Sequence, residues 1–116
     1  PITAREYSQA FTVVTAHLKG NAVNLDWVTM LKNRNHTVVV LMGLTRVSEI
    51  VKKAQENHID IHSPCAIVSN ASRKNQTTFT TTLENLEEVA TKAMRPSILV
   101  FGDVINYTNT LKESQK

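Results

Sequence analysis

Thr37-Val38-Val39-Val40-Leu41-Met42-Gly43-Leu44-Thr45-Arg46-Val47-Ser48-Glu49-Ile50 is the stretch whose reading decides the fold. Its first half is an unbroken run of β-branched and apolar residues, predicting a buried strand from Thr37 to Met42. Gly43 ends that run, and helix-like spacing begins at once. A buried strand that stops at a glycine and turns directly into a helix is how α/β proteins present backbone to a ligand, outside the carboxyl ends of the strands. The same arrangement returns at Pro96-Ser97-Ile98-Leu99-Val100-Phe101-Gly102, so two of the three glycines stand at strand exits.

Working outward, Val47, Ile50, Val51 and Ala54 recur at spacings of three and four, with Lys52, Lys53, Gln55 and Glu56 opposite them, which predicts an amphipathic helix. Upstream, Phe11-Thr12-Val13-Val14-Thr15 reads as a strand ending near Ala16 and His17. Asp26 is placed to N-cap a short helix carrying Trp27, Val28 and Leu31, with Lys32 at its C-terminus. Downstream, Ser63-Pro64 introduces a strand over Cys65 to Val68, and a polar loop follows from Ser69 to Asn75. The Thr-rich run Gln76 to Thr82 predicts a strand wet on one face, near a sheet edge. A third helix is expected from Leu83 to Met94, acidic at its start (Glu84, Glu87, Glu88), basic at its end (Lys92, Arg95) and stopped by Pro96. The resulting order, β-α-β-α-β-β-α-β, implies an α/β fold with a mixed sheet of about five strands and flanking helices. Residues 1–108 are expected to form the domain, and 109–116 a frayed polar tail.

The composition narrows the function. At 116 residues the chain is one domain with room for a core, and with only 5% aromatics that core must rest on Val, Ile, Leu and Ala. No apolar run approaches the ~20 residues of a membrane span, and no secretory leader is seen. Absence of an initiator Met before Pro1 leads us to expect a piece of something longer. The net charge of +3 is spread among Glu residues without aromatic interleaving, so nucleic acid is not the expected partner. The lone Cys65 lies in an apolar strand, where an inert core thiol in a reducing, cytoplasmic setting is expected.

Hydrolase, phosphate-loop and dinucleotide signatures are missing. His58 and His62 share the spacing of a helical metal pair, but Pro64 and the loop-like residues between them argue against a metal site. His17 reads as a polar residue at a strand exit. Met42 is either packing or the lining of an adaptable ligand cleft. Arg5 is a solvated charge unless the ligand is a carboxylate or phosphate, which a guanidinium binds in a two-pronged fork.

Taken in order, these pieces resemble a known family. Pro1-Ile2-Thr3-Ala4-Arg5 is similar to the Pro-Leu-Thr-His-Arg motif of uroporphyrinogen-III C-methyltransferases, including the methylase part of sirohaem synthases. Phe11 to His17 resembles their Phe-Val-Thr-Gly-His segment, Leu25-Asp26-Trp27 their Leu-Asp-Trp, and Val40-Leu41-Met42-Gly43-Leu44 their Val-Tyr-Met-Gly-Leu. Pro64 to Ala71 parallels Pro-Val-Ala-Ile-Val-Glu-Asn-Gly, Thr82-Leu83 falls on Gly-Thr-Leu, and Pro96 to Gly102 on Pro-Ser-Leu-Ile-Ile-Val-Gly. The likeness is colinear over nearly the whole chain.

The resemblance implies a C-terminal domain of the tetrapyrrole methylase fold. It further implies methyl transfer from S-adenosyl-L-methionine to uroporphyrinogen III, giving precorrin-2 for sirohaem biosynthesis, in a homodimer whose cofactor lies between two α/β domains. By position, Arg5 would meet a substrate carboxylate and Met42 would lie between cofactor and macrocycle. Ala71 would offer backbone to the adenosyl group, with Pro96 and Ser97 beside it. The residues proposed for proton transfer belong to an N-terminal half, so this domain alone is expected to be inactive. Ala4, Ala16, Ser69 and Ala71 depart from the family's His, Gly, Glu and Gly. The alternative class is a dimerisation or metabolite-binding module that has kept the fold without the chemistry.

Overall fold

A computed structural model describes residues 10–70, 74, 76–103 and 105. Within them, five strands form a single sheet: β1 (Ala10–Thr15), β2 (His36–Leu41), β3 (Pro64–Ser69), β4 (Thr77–Thr82) and β5 (Ser97–Phe101), in spatial order β1-β2-β5-β3-β4. β1 and β2 run parallel, while β5 is antiparallel to both β2 and β3, and β4 is antiparallel to β3. The expected mixed five-stranded sheet is therefore present, and the Thr-rich β4 does form its edge.

One face of the sheet is covered by helices. Val38 and Val40 of β2, Cys65 and Ile67 of β3, and Leu99 and Phe101 of β5 point to that face, as the two-residue period of a strand requires. They pack on Ile50, Val51 and Ala54 of α1 (Val47–Glu56), Leu86 of α2 (Leu86–Ala90), and Trp27 and Val28 of a 3-10 turn over Asp26–Lys32. Trp27 and Phe101 stack at 5.7 Å between ring centroids, tilted at 40°. Cys65 is fully buried here, and burial pushes its thiol up to about 12, which makes it an inert core residue as expected. On the opposite face Ile105 sits against Ala66 and Val100.

Three local expectations need correction. The segment at Asp26 is a 3-10 helix, and Asp26 does not cap it. The Asn24 side chain instead accepts a hydrogen bond from the Asp26 backbone N–H at 3.2 Å. β2 stops at Leu41, because Met42 takes a left-handed φ of 56° that no strand tolerates. The third helix, expected to reach Met94, ends at Ala90 after a 3-10 turn over Leu83–Asn85. Its end coincides with Thr91, whose hydroxyl donates to the Glu88 carbonyl at 2.6 Å. That local bond is the kind of competition with helical pairing that Thr and Ser side chains offer. The expected tail, 109–116, lies outside the described residues.

Candidate functional site

Strand directions place the carboxyl ends of β1, β2 and β3 and the amino ends of β4 and β5 along one edge of the sheet. At that edge a cleft of about 650 Å³ opens above the junction of β2 with β5, where the parallel pair meets its first antiparallel neighbour. His17 follows β1, Met42, Leu44 and Thr45 follow β2, and Arg95, Pro96 and Ser97 precede or open β5; all seven line the cleft. Ligands of open α/β sheets sit outside the carboxyl ends of strands where the order of the sheet changes, and this cleft has that position.

Each wall has a local cause. The β1 side is held by Asn24, which makes four hydrogen bonds. Its N–H donates to the Ala16 carbonyl at 2.8 Å and its side-chain amide to the Thr15 carbonyl at 3.1 Å. Its carbonyl accepts from the Trp27 indole at 2.7 Å, and its side-chain oxygen serves the Asp26 N–H. The Leu-Asp-Trp segment is thereby fastened to the chain that carries His17. Ala16, where the family pattern has Gly, is fully buried and is not among the described residues with left-handed torsion, so its methyl group costs nothing in strain.

On the β2 side, Met42 combines left-handed backbone with a side chain 58% exposed to solvent. That torsion costs an L-residue about 1–2 kcal/mol, and an exposed Met gains little packing in return. Gly43 follows because the helix start lies tight on the sheet: a Cβ there would come within 2.9 Å of Leu99 Cδ1. The Gly is thus a packing requirement, and the strain sits one residue earlier.

On the β5 side, Ser97 is held by its neighbours. Its hydroxyl donates to the Met94 carbonyl in a very short bond. Having given its one proton there, it must accept from the buried Ser69 hydroxyl, 2.8 Å away. Ser69, where the family pattern has Glu, therefore braces the loop. The Asn70 N–H adds a 2.8 Å bond to the Pro96 carbonyl, and Asn70 is itself left-handed at φ 55°.

The structure thus brings Met42, Pro96 and Ser97 to one cleft, and Ser97 spends its proton within the fold. Arg5 and Ala71 lie outside the described residues. His17, Thr45 and Arg95 line the same cleft, and no sequence motif singles them out as ligand-binding. Among the described residues no group of three or more His, Cys, Asp or Glu side chains is arranged to hold a metal ion.

Fold and cleft together define an α/β domain with an open cleft at a strand reversal. The family is fixed by comparison with known proteins: the sequence model of the Tetrapyrrole (Corrin/Porphyrin) Methylases matches residues 2–87, and the chain belongs to that family. Siroheme synthase from Neisseria meningitidis serogroup C is 34% identical over 105 residues, covering 90% of this chain and 22% of that protein. Uroporphyrin III C-methyl transferase from Thermus thermophilus superposes in its native form with a TM-score of 0.78 at 26% identity, over 92% of this chain and 46% of the other. The structure of that enzyme complexed with S-adenyl homocysteine superposes at 0.77 and 27% identity, over 90% and 45%. The chain therefore spans about a fifth of the siroheme synthase and just under half of the methyltransferase.

Proposed function

We propose that this domain is one wall of the active-site cleft of an S-adenosylmethionine-dependent C-methyltransferase acting on uroporphyrinogen III, yielding precorrin-2 for sirohaem formation. The observation that carries the reading is the cleft at the β2–β5 junction, with a strained, solvent-facing Met42 at its lip, in a chain of the tetrapyrrole methylase family. Strain of this kind persists where the surrounding structure holds it, and it clusters at ligand sites. The resemblance to an enzyme whose solved structure contains S-adenyl homocysteine supports the identity of the donor.

S-adenosylmethionine supplies a methyl group on a sulfonium, and its transfer needs the acceptor carbon, the methyl and the sulfur in line rather than a cationic catalyst. This domain contributes alignment. Met42 offers a thioether surface between donor and macrocycle, Pro96 and Ser97 present the β5 backbone to the adenosyl group, and Ala71 contributes backbone to the same group. Arg5 forks a substrate carboxylate. The second wall and the groups that move protons belong to the other half of the enzyme, which functions as a cytoplasmic homodimer. On its own the domain is inactive, because half of the binding surface is lacking.

The test is a methylation assay of the full-length protein carrying this domain, with uroporphyrinogen III as acceptor. Transfer of label from S-adenosylmethionine to the macrocycle is the expected result. Tight binding of either compound without transfer would make the domain a non-catalytic module instead.

A further inference from the structure

Three arginines fall among the described residues, and two are spoken for. Arg34 holds Asp103 at 2.6 Å and Asp60 at 3.6 Å at the opposite edge of the sheet. Arg46 lies 3.1 Å from Glu49 and donates to the Asn21 carbonyl at 2.7 Å. Arg95 is exposed, has no ion pair with any described residue, and stands on the cleft.

The surroundings of Arg95 say what it would take. Among the described residues no carboxylate lines the cleft, so nothing in that lining neutralises the guanidinium. His17 stands above β1 and Arg95 above β5, with Met42 above β2 between them. Two strand spacings separate those rims, roughly 10 Å. Between them Met42, Leu44 and Pro96 give the cleft apolar lining beside the hydroxyls of Thr45 and Ser97, and Met94, next to Arg95 in sequence, is 66% exposed. An apolar body carrying negative charge at its periphery fits such a surface. The guanidinium repels a sulfonium placed directly against it, so a donor bound here would turn its carboxylate, not its sulfur, toward Arg95.

We propose that Arg95 is a carboxylate-binding residue of the cleft, its guanidinium forking a carboxylate of the bound ligand in a paired, charge-assisted hydrogen bond. The inference rests on the methyltransferase reading and deepens it by assigning a residue to anion recognition. Two ligands carry the required group: the amino-acid end of the methyl donor and the acid side chains of the tetrapyrrole.

The experiment is calorimetric titration of the full-length protein and its Arg95→Gln and Arg95→Lys variants with S-adenosylhomocysteine and, separately, with uroporphyrin III. Arg95→Gln should weaken one of the two ligands by about tenfold or more, the scale of a lost hydrogen bond to a charged group. Arg95→Lys should lose less, because charge survives while the fork does not, and its residual affinity should fall further with added salt. Loss confined to S-adenosylhomocysteine assigns the donor's carboxylate; loss confined to uroporphyrin assigns the macrocycle's. Unchanged affinity for both ligands in both variants, with wild type binding them, overturns the assignment and leaves the methyltransferase reading standing. Failure of the wild-type protein to bind either ligand takes down both.

Discussion

The two edges of the sheet are built from similar residues and treat them oppositely. At the edge formed by the amino ends of β2 and β3 and the carboxyl end of β5, polar groups close on one another. Arg34 is clamped by Asp103 and Asp60, the Asp103 N–H returns a bond to the Arg34 carbonyl at 3.1 Å, and His36 meets the Thr12 hydroxyl at 2.6 Å. Left-handed backbone there falls on Gly102, at φ 138°, where it suits the residue, and on His58, at φ 58°, in the turn before β3. At the cleft edge the left-handed torsions fall on Met42 and Asn70 besides Gly20, two methionine side chains face solvent, and Arg95 is left without an ion pair among the described residues. One edge pairs its arginine within the fold; the other leaves Arg95 and two methionines open to solvent, as the proposed binding surface requires.

The contrast is most severely tested at Gly102. A Cβ there would lie 3.2 Å from the His36 carbonyl oxygen and 3.3 Å from Thr37 Cα, both backbone atoms that cannot swing aside. Gly102→Ala should therefore cost about 3 kcal/mol, the upper end for a strained backbone position, read as a lower denaturation midpoint at unchanged slope. Gly20 is a fair control: its φ is 73° and a Cβ there would meet nothing within 4 Å, so Ala should cost only about 1–2 kcal/mol. Equal losses at the two sites would mean that the closed edge is no tighter than a surface turn.

A smaller effect separates the two arginines. Arg34→Gln breaks a partly exposed ion pair and should cost about 1 kcal/mol. Arg95→Gln removes no described pair, so its cost to stability should stay within about 0.5 kcal/mol. Denaturation of both variants side by side checks this. A loss at Arg95 matching that at Arg34 would place Arg95 in the fold's own bonding rather than in the cleft.

Much of this is legible in the sequence, for identifiable reasons. Val38 to Leu41 is apolar throughout because β2 is interior to the sheet, and Thr77 to Thr82 alternates weakly because β4 is an edge strand. Motif order places Met42, Pro96 and Ser97 near a ligand, and they do share one cleft. Arg95 escapes a sequence reading because the charge pattern from Glu84 to Arg95 reads as one helix with a basic C-terminus. The Thr91 hydroxyl bond to Glu88 and the helix end at Ala90 put Arg95 instead in the chain leading into β5. Asn24 escapes for another reason: all four of its hydrogen bonds are set by where the chain turns, and no composition or period carries that information.

Met42 offers the finest cut, because stability and binding should move in opposite directions. Replacing it with Gly relieves a left-handed torsion costing about 1–2 kcal/mol, against about 0.5–1 kcal/mol for the greater freedom of an unfolded glycine. With the side chain 58% exposed, little packing is lost, so Met42→Gly should raise stability by roughly 0.5 kcal/mol. The same change strips an apolar side chain from the lip of the cleft, and affinity for S-adenosylhomocysteine should fall about tenfold, the value of one to two buried methylene groups. Denaturation and calorimetry on one variant decide between the possibilities. A gain in stability with a loss in binding identifies strain retained for the ligand's sake. A loss of stability would mean that Met42 is held by packing, and the left-handed turn would then belong to the same closed bonding that governs the other edge.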